Sequence, residues 1–232
     1  MKIGIMQPYF FPYIGYWQLI NAVKKYIIYD DVQYIKGGWI NRNRIFVGGE
    51  PKLINLLMNG ASPNKLINEI NTPDNIVHKN KLLKTIRHSY SKSPYFNSIY
   101  PVIESIILFK EEVLSLYLKN SIEIIANYLE MNTEFILSSD INKDNKLQGQ
   151  DKILQICKIL GATEYYNAIG GKGLYSVEDF KNNGIGLKFL QTESIKYKQF
   201  DNGFIPNLSI IDVLMFNSRE EVKKMLNLYT LE

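Results

Sequence analysis

Two adjacent carboxylates, Asp30 and Asp31, follow a short apolar segment and could carry out acid–base chemistry. A carboxylate whose pKa is raised by burial can take a proton from an attacking amine. Neighbouring residues of a strand point to opposite faces, so only one of the two should face a cleft, and we expect the other to cap a turn. The carboxylate in the cleft could instead bind a sugar hydroxyl, an amino group or a magnesium ion carried by a phosphate.

An aromatic segment bounded by prolines precedes these carboxylates and runs from Gln7 to Tyr16. Residues 2–7 are predicted to form a buried strand, and a helix is predicted to begin near Gly15. Ligands of parallel α/β sheets bind beyond the carboxyl ends of the strands, and the free N–H groups at a helix start suit a phosphate. Gln7 offers a donor and an acceptor, and Tyr9 and Tyr16 offer hydroxyls and ring faces. The aromatic side chains could equally pack the first turn, so the sequence leaves both roles open.

Amides and guanidiniums alternate in Asn41, Arg42, Asn43 and Arg44, shortly after Tyr34. Alternate residues of an extended segment share a face, so the two asparagines should lie together, as should the two arginines. Arginine forms bidentate hydrogen bonds to phosphate, which makes this segment a candidate phosphate-binding element. A solvated loop is the alternative interpretation.

A cluster of glycines that includes Gly171 lies between Tyr165 and Tyr175. Backbone N–H groups of such segments can hold phosphates, and we expect a flexible loop here. This segment is not a Walker A motif, because its glycine spacing differs from that motif and no serine or threonine follows Lys172. Cys157 lies in an apolar run and is expected to be buried and inert.

Composition excludes several classes of protein. The net charge of the 232 residues is +4, from 27 basic and 23 acidic side chains that are scattered, so we expect no nucleic-acid partner. One cysteine excludes an intramolecular disulfide and a cysteine-cluster zinc site, and two histidines leave little for a metal site, so none is predicted. No apolar stretch approaches the roughly 20 residues of a membrane span, and residues 1–12 lack a signal-peptide hydrophobic region. We therefore expect a cytoplasmic protein without an integral membrane segment.

The predicted elements place the candidate residues on a parallel sheet. A strand at residues 2–7, a helix at 15–23 and a strand at 26–29 form a βαβ unit. A hairpin at 45–57 and a short strand at 68–70 follow. Helices are predicted at 75–90, 96–109, 111–129, 150–160, 210–216 and 220–229, and further strands at 135–138, 164–167 and 187–190.

This order predicts an α/β fold with a Rossmann-like parallel-sheet core and a helical insertion; a nucleotidyltransferase-like (HUP) core is one form that it could take. We expect a single domain over residues 1–232. Its parts would be a βαβ and hairpin part at 1–72, the helical insertion at 75–130 and a C-terminal α/β part at 133–232.

Taken together, these segments resemble the WbqC-like family almost from end to end. About a dozen blocks occur in order, which makes chance agreement improbable. They are residues 7–12 with Gly15 and Tyr16, 29–34, Trp39 with 41–45, 84–86 with Tyr90, 94–96, Gly161 and Ala162 with Tyr165, and Gly171, Tyr175, Phe180, Tyr197, Gln199, Phe204 and 208–214.

The resemblance implies a product of the gene clusters that build O-antigens and other surface polysaccharides. The preferred interpretation is transfer of an acyl or aminoacyl group, such as glycyl, to the amine of a nucleotide-linked amino sugar. ATP and acyl-CoA are the two possible co-substrates, and Mg²⁺ could accompany a phosphate group. The protein could form a homo-oligomer. Asp31, Asp30 and Gln7 would be catalytic. The substrate-binding residues would be Tyr9, Gly15, Tyr16, Tyr34, Asn41, Arg42, Asn43, Arg44, Tyr165, Gly171 and Tyr175.

Two alternatives stay open. One is a nucleotide-sugar binding or assembly protein without catalytic activity. The other is an ATP-dependent adenylate-forming ligase or nucleotidyltransferase, because residues 13–16 at a helix start are similar to the HIGH-type motif of those enzymes. Here Tyr13 and Tyr16 stand in the outer places of that motif, where those enzymes have histidines, and no lysine-rich second signature follows.

Overall fold

The computed structural model describes residues 1–200 and 203–232, which form a six-stranded sheet flanked by helices and a separate two-stranded hairpin. The strands are β1 (Lys2–Met6), β2 (Lys25–Ile28), β3 (Arg42–Val47), β4 (Glu50–Asn55), β5 (Glu134–Leu137), β6 (Glu164–Ala168), β7 (Gly186–Thr192) and β8 (Tyr229–Leu231). The helices are α1 (Ile14–Asn21), α2 (Ile76–Tyr90), α3 (Phe96–Leu108), α4 (Leu114–Tyr128), α5 (Gly149–Ile159), α6 (Val177–Asn182), α7 (Ile210–Phe216) and α8 (Arg219–Met225).

The strands of the large sheet lie in the order β5-β2-β1-β6-β7-β8. The first five of these strands pair in parallel, and β8 pairs antiparallel to β7. When the hairpin strands β3 and β4 are left out and the six sheet strands are renumbered 1 to 6 along the chain, their order in the sheet is 3-2-1-4-5-6, the order of doubly wound folds. The α/β prediction with a Rossmann-like, mostly parallel sheet is confirmed. The strand order reverses between β1 and β6, the position where such sheets bind ligands.

Side chains alternate across the sheet and build one core on each face. On one face Ile3 and Ile5 of β1 pack with residues of α5 and α6, including Cys157 and Phe180. The second and larger core lies against α1, α2, α3, α4, α7 and α8 and contains Trp17. Helices on both faces explain why consecutive residues of the central strands, such as 3–5 of β1 and 26–28 of β2, are all buried. Cys157 is fully buried, as expected, and burial raises the pKa of its thiol to about 12.

The three central helices α2, α3 and α4 occupy residues 76–128, as the sequence predicted, between the hairpin and β5. That the chain forms a single domain, and that this domain has the three parts named above, stays a prediction. None of the helices within the described part of the chain is long and apolar enough to cross a membrane.

Two short segments differ from their predicted structures. Ile67–Glu69 forms a 3₁₀ helix where a strand was expected, because Leu66 N–H and the Glu69 carboxylate close the turn at 2.8 Å. The glycine cluster also forms a 3₁₀ helix, Ile169–Leu174, and not an open loop.

The C-terminal helix is shorter than predicted, and a strand follows it. The predicted helix extended to residue 229, whereas α8 ends at Met225 and β8 begins at Tyr229. Buried Gln18 explains the end of the helix, since its Nε2 donates to the carbonyls of Met225 and Leu228 at 2.8 and 2.9 Å. These long-range hydrogen bonds satisfy terminal carbonyls of the helix and direct the chain to the sheet edge.

Candidate functional site

The loop between β1 and α1 is held in a strained conformation. Phe11 lies in the left-handed region with φ 44°, which is costly for a residue with a side chain. Asn43 Nδ2 donates to the carbonyls of Phe10 and Phe11 at 3.1 and 2.9 Å, and Ser209 Oγ donates to Phe11 at 2.8 Å. The N–H of Phe10 donates to the carbonyl of Trp39 at 3.1 Å. The hairpin and the start of α7 therefore fix this loop from both sides.

Beside this loop lies a cavity of about 320 Å³ that contains Arg44, which we call the arginine cavity. The guanidinium carbons of Arg44 and Arg42 lie 5.5 and 5.9 Å from the ring centroid of Trp39. Arg44 Nη2 donates to the carbonyl of Asn207 at 3.5 Å, whereas its buried Nε has no hydrogen-bond partner within residues 1–200 and 203–232. Within those residues neither arginine forms an ion pair. The lining residues are Tyr9, Pro12, Tyr13, Trp39, Asn43, Arg44 and Asn207.

Residues 42–44 belong to β3, where the buried Asn43 alternates with the half-buried Arg42 and Arg44, whereas Asn41 precedes the strand and is half-buried. This corrects the alternative of a solvated loop. Arg42 Nε donates to the carbonyl of Gly38 at 3.0 Å, and Tyr34 donates to Asn41 Oδ1 at 3.1 Å. These neighbours brace the segment that carries Trp39, and Asn43 and Arg44 are the members of the group that line the cavity.

The start of α1 is closely packed. A Cβ on Gly15 would lie 2.5 Å from Thr192 Oγ1 and 2.6 Å from the ring of Tyr13. Tyr16 is buried and donates to the carbonyl of Gln7 at 3.0 Å, and burial raises the pKa of Tyr16. Gly15 and Tyr16 thus shape the wall behind Tyr13. Their predicted roles in substrate binding stay predictions, and Gln7 lies half-buried at the end of β1.

Asp31 belongs to a second charged group, the Asp31 ion cluster, which consists of Asp31, Lys143 and Lys152. Asp31 Oδ2 lies 2.8 Å from Lys143 Nζ and 3.0 Å from Lys152 Nζ, and the three side chains are 9%, 1% and 7% exposed. Burial alone would raise the pKa of Asp31, but Lys143, the Ser138 side chain and Lys152 together outweigh burial and lower it. Asp31 is therefore an anion that holds together the segments after β2 and β5 and helix α5.

Asp30 caps a turn, as the sequence predicted for one carboxylate of the pair. Its Oδ1 accepts from the Ser139 N–H at 3.0 Å and its Oδ2 from the Ser139 hydroxyl at 2.7 Å. Burial raises the pKa of Asp30, and the Ser139 hydrogen bonds oppose that rise. Both carboxylate oxygens are thus used within the protein.

Asp31 and the predicted binding residues Tyr9, Asn43 and Arg44 line different cavities. Asp31 lines a cavity of about 400 Å³ together with Tyr29, Gln33 and Lys152, near the start of α5. The arginine cavity shares none of its lining residues with this one. The catalytic roles of Asp31, Asp30 and Gln7 stay predictions, but the environment of Asp31 is that of a structural ion pair.

The lysines of the cluster were not predicted as functional residues. Lys152 lies on the buried face of α5 beside Ile153 and Ile156, and a lysine at such a position is a usable signal of a buried partner. Lys143 carries no comparable periodic signal, since it lies in the irregular segment after β5.

The third predicted group lies at the end of β6. Tyr165 is fully buried and stacks on Phe180 with ring centroids 5.4 Å apart, and its hydroxyl lies 3.4 Å from that of Tyr175. A Cβ on Gly171 would lie 2.8 Å from Asn167 Nδ2. The burial of Tyr165 argues against direct contact with a substrate, and the binding roles of the group stay predictions.

A buried carboxylate that the sequence analysis assigned to no site lies behind the arginine cavity. Asp212 is fully buried and accepts hydrogen bonds from Tyr90, Tyr197 and Gln199 at 2.8, 2.7 and 2.7 Å. Burial raises the pKa of Asp212, and these donors oppose the rise. The hydroxyl of Tyr90 in turn accepts from the N–H of Phe46 in β3 at 2.9 Å. The network ties α7, α2 and β3 together.

The described part of the chain holds no group of three or more histidine, cysteine, aspartate or glutamate side chains that could bind a metal ion. The arginine cavity has aromatic walls and one cationic side chain, Arg44, and it lies beside the loop after β1, next to the position where the strand order reverses.

Comparison with known proteins agrees with the family that the sequence resembles. The model of the WbqC-like protein family matches residues 7–224. The chain is 28% identical over 221 residues to the uncharacterized protein Rv1507c of Mycobacterium tuberculosis (strain ATCC 25618 / H37Rv), with 93% of each chain covered. No solved structure matches the chain. Because the family model covers nearly the whole chain, this protein belongs to the WbqC-like protein family.

Proposed function

We propose that the protein binds a nucleotide-linked amino sugar in the arginine cavity and transfers an acyl or aminoacyl group, such as glycyl, to its amine. The observation that carries this proposal is the Arg44 guanidinium, which lies in an aromatic cavity and has no carboxylate partner in the described part of the chain. The proposed setting is the cytoplasmic synthesis of bacterial surface polysaccharides such as O-antigens.

The lining of the arginine cavity suits a nucleotide. An arginine without an anionic partner is available for bidentate hydrogen bonds to a phosphate. Trp39 is 39% exposed and offers a ring face on which a base can stack. Burial raises the pKa of Tyr9 and Tyr13, so both phenols stay protonated at neutral pH and can donate to phosphate or sugar oxygens.

The proposed transfer forms an amide. The amine nitrogen attacks the carbonyl of an activated acyl donor such as a thioester; the C–N bond forms, the bond to the thiolate breaks, and the amine proton leaves with the thiolate. Gln7 would orient the acyl carbonyl. Asp31, with its lowered pKa, is a weak base, and we assign it and Asp30 the positioning of the segments after β2 and β5.

A second candidate, a nucleotide-sugar binding protein without catalytic activity, is favoured by one observation. Both carboxylates predicted for catalysis are engaged by donors of the chain itself, Asp30 by Ser139 and Asp31 by two lysines. Binding and product formation therefore need separate measurements.

Isothermal titration with UDP-glucosamine and dTDP-glucose tests the binding step on the wild type and on Arg44→Ala. We expect Arg44→Ala to weaken binding by about 10- to 100-fold, the range for hydrogen bonds to a charged group. Arg87→Ala is the matched control, because Arg87 lies 4.5 Å from the Tyr100 ring outside the cavity, and it should bind like the wild type. Equal affinity of Arg44→Ala and wild type would contradict the proposal.

Mass spectrometry of the amino sugar after incubation with acetyl-CoA, or with ATP and glycine, separates the two candidates. A new amide product supports the transferase. Binding without any product in either mixture favours the second candidate.

A further inference from the structure

A second cavity lies beside the arginine cavity and begins at the end of β7, and we call it the β7 cavity. Its volume is about 590 Å³. Asn207 lines both cavities, and Tyr13 of one directly precedes Ile14 of the other, so they are neighbours. The lining residues are Ile14, Thr192, Glu193, Ser194, Ile195, Lys196, Tyr197, Phe204, Pro206, Asn207, Leu208 and Val213.

The two cavities differ in charge. The arginine cavity contains Arg44 and no acidic lining residue, whereas the β7 cavity contains one acidic and one basic residue, Glu193 and Lys196, whose formal charges cancel. An anionic group is therefore favoured in the first cavity and an uncharged group in the second.

The lining of the β7 cavity suits a sugar ring. Thr192 and Ser194 offer hydroxyls, and Asn207 offers an amide, all of which can exchange hydrogen bonds with sugar hydroxyls. The rings of Tyr197 and Phe204 meet edge to face at 5.1 Å and form an aromatic wall for the apolar face of a sugar. The hydroxyl of Tyr197 is held by Asp212, which fixes the position of this ring.

We infer that the β7 cavity is the sugar subsite and binds the glycosyl part of the nucleotide sugar whose phosphates lie on Arg44; this inference rests on the proposed function. At about 320 Å³, the arginine cavity is at the lower limit of small-molecule sites, which span roughly 300–1,000 Å³. A nucleotide sugar that extends past Asn207 would occupy both cavities, with its nucleotide in the arginine cavity and its sugar in the β7 cavity. The backbone of Asn207, with φ 56° and its carbonyl 3.5 Å from Arg44 Nη2, marks the junction.

Filling the β7 cavity tests the inference, with UDP and UDP-glucosamine as probes and isothermal titration as the measurement. Ser194 is exposed and lines the cavity, so Ser194→Trp places a large ring there with little effect on the core. We expect this variant to weaken UDP-glucosamine binding by at least about tenfold and to leave UDP binding unchanged. Lys198→Trp is the control, because Lys198 is exposed on the same segment and does not line the cavity.

Each result has a distinct meaning. Unchanged UDP-glucosamine binding in Ser194→Trp, or an equal loss of UDP binding, overturns the sugar subsite and leaves the proposed nucleotide binding in place. A wild type that binds neither UDP nor UDP-glucosamine, nor dTDP and dTDP-glucose, overturns the proposed function and this inference with it. Thermal melting of Ser194→Trp guards against misfolding, and Ser194→Leu is the smaller substitution to use if the tryptophan variant melts early.

Discussion

Two groups of cations lie near the carboxyl ends of the sheet strands, and they differ in how their charge is balanced. In the Asp31 ion cluster two lysines lie within 3.0 Å of one carboxylate, and all three side chains are buried. In the arginine cavity, Arg44 has a backbone carbonyl at 3.5 Å, and no carboxylate within the described residues pairs with it. Each cation of the first group contacts a carboxylate of the protein, whereas Arg44 has no such carboxylate among the described residues.

This difference separates structural charges from charges available for a ligand. A buried ion pair fixes the elements that carry it, and removal of one partner leaves an uncompensated charge. A half-buried arginine on an aromatic ring is held in place by packing, so its hydrogen-bonding edge stays available. Substitutions in the cluster should therefore change stability first, and substitutions in the arginine cavity should change binding first.

The largest effect on stability is expected for Asp31→Asn. This substitution leaves Lys143 and Lys152 buried without an anion, and loss of one partner of a buried ion pair costs about 3–5 kcal/mol. Urea denaturation measures the free energy of unfolding. Glu134→Gln is the control, because the side chains of the Lys25–Glu134 pair are 25% and 53% exposed, and loss of such a partly solvated pair should change stability by less than about 1 kcal/mol. If Asp31→Asn keeps wild-type stability but loses turnover, Asp31 acts as a base and the comparison fails.

The pH dependence of the same variant sharpens this test. The folded-state pKa of Asp31 is lowered, so its contribution to stability is present above the unfolded value of about 3.9 and is lost as pH falls toward the folded pKa. The difference in free energy of unfolding between wild type and Asp31→Asn should thus be full at pH 7 and decline below about pH 4. A difference that stays constant down to pH 3 would show that the ion pairs do not carry the effect.

A smaller effect is expected for Gly15→Ala, at the wall of the arginine cavity. The added Cβ would meet Thr192 Oγ1 at 2.5 Å and the Tyr13 ring at 2.6 Å, and overpacking of this kind costs about 1–3 kcal/mol. Because Tyr13 lines the cavity, UDP-glucosamine binding should weaken as well. Gly170→Ala is the control, since a Cβ there has nothing within 4 Å. Equal melting temperatures of the two variants would show that the start of α1 is loosely packed.

Local signals predicted most of the fold. The apolar strands, the helix periodicity and the βαβ order of the first 30 residues predicted the parallel sheet, and the alternation of residues 41–44 predicted that Arg42 and Arg44 share a face. One prediction was wrong because distant residues decide the local structure. Gln18 ends α8 from about 207 residues away, and so β8 was missed.

The candidate site was predicted only in part, for the same reason. The sequence pattern identified Arg44 as a candidate phosphate-binding residue, but it could not show that Asp31 pairs with two lysines more than 100 residues away. Adjacent carboxylates have the same local pattern whether they are catalytic or structural. Their partners decide the role, and these partners become neighbours only when the sheet forms.

The smallest effect is expected for Trp39→Leu. Trp39 is 39% exposed, so its loss should hardly change the free energy of unfolding. Stacking of a base on an aromatic side chain contributes about 1–3 kcal/mol, and at this exposure we expect the low end, which is about fivefold in the dissociation constant of UDP. Trp39→Phe keeps a ring and should recover most of the affinity. If Trp39→Leu lowers stability more than UDP affinity, Trp39 belongs with the structural residues, and the arginine cavity would resemble the Asp31 ion cluster after all.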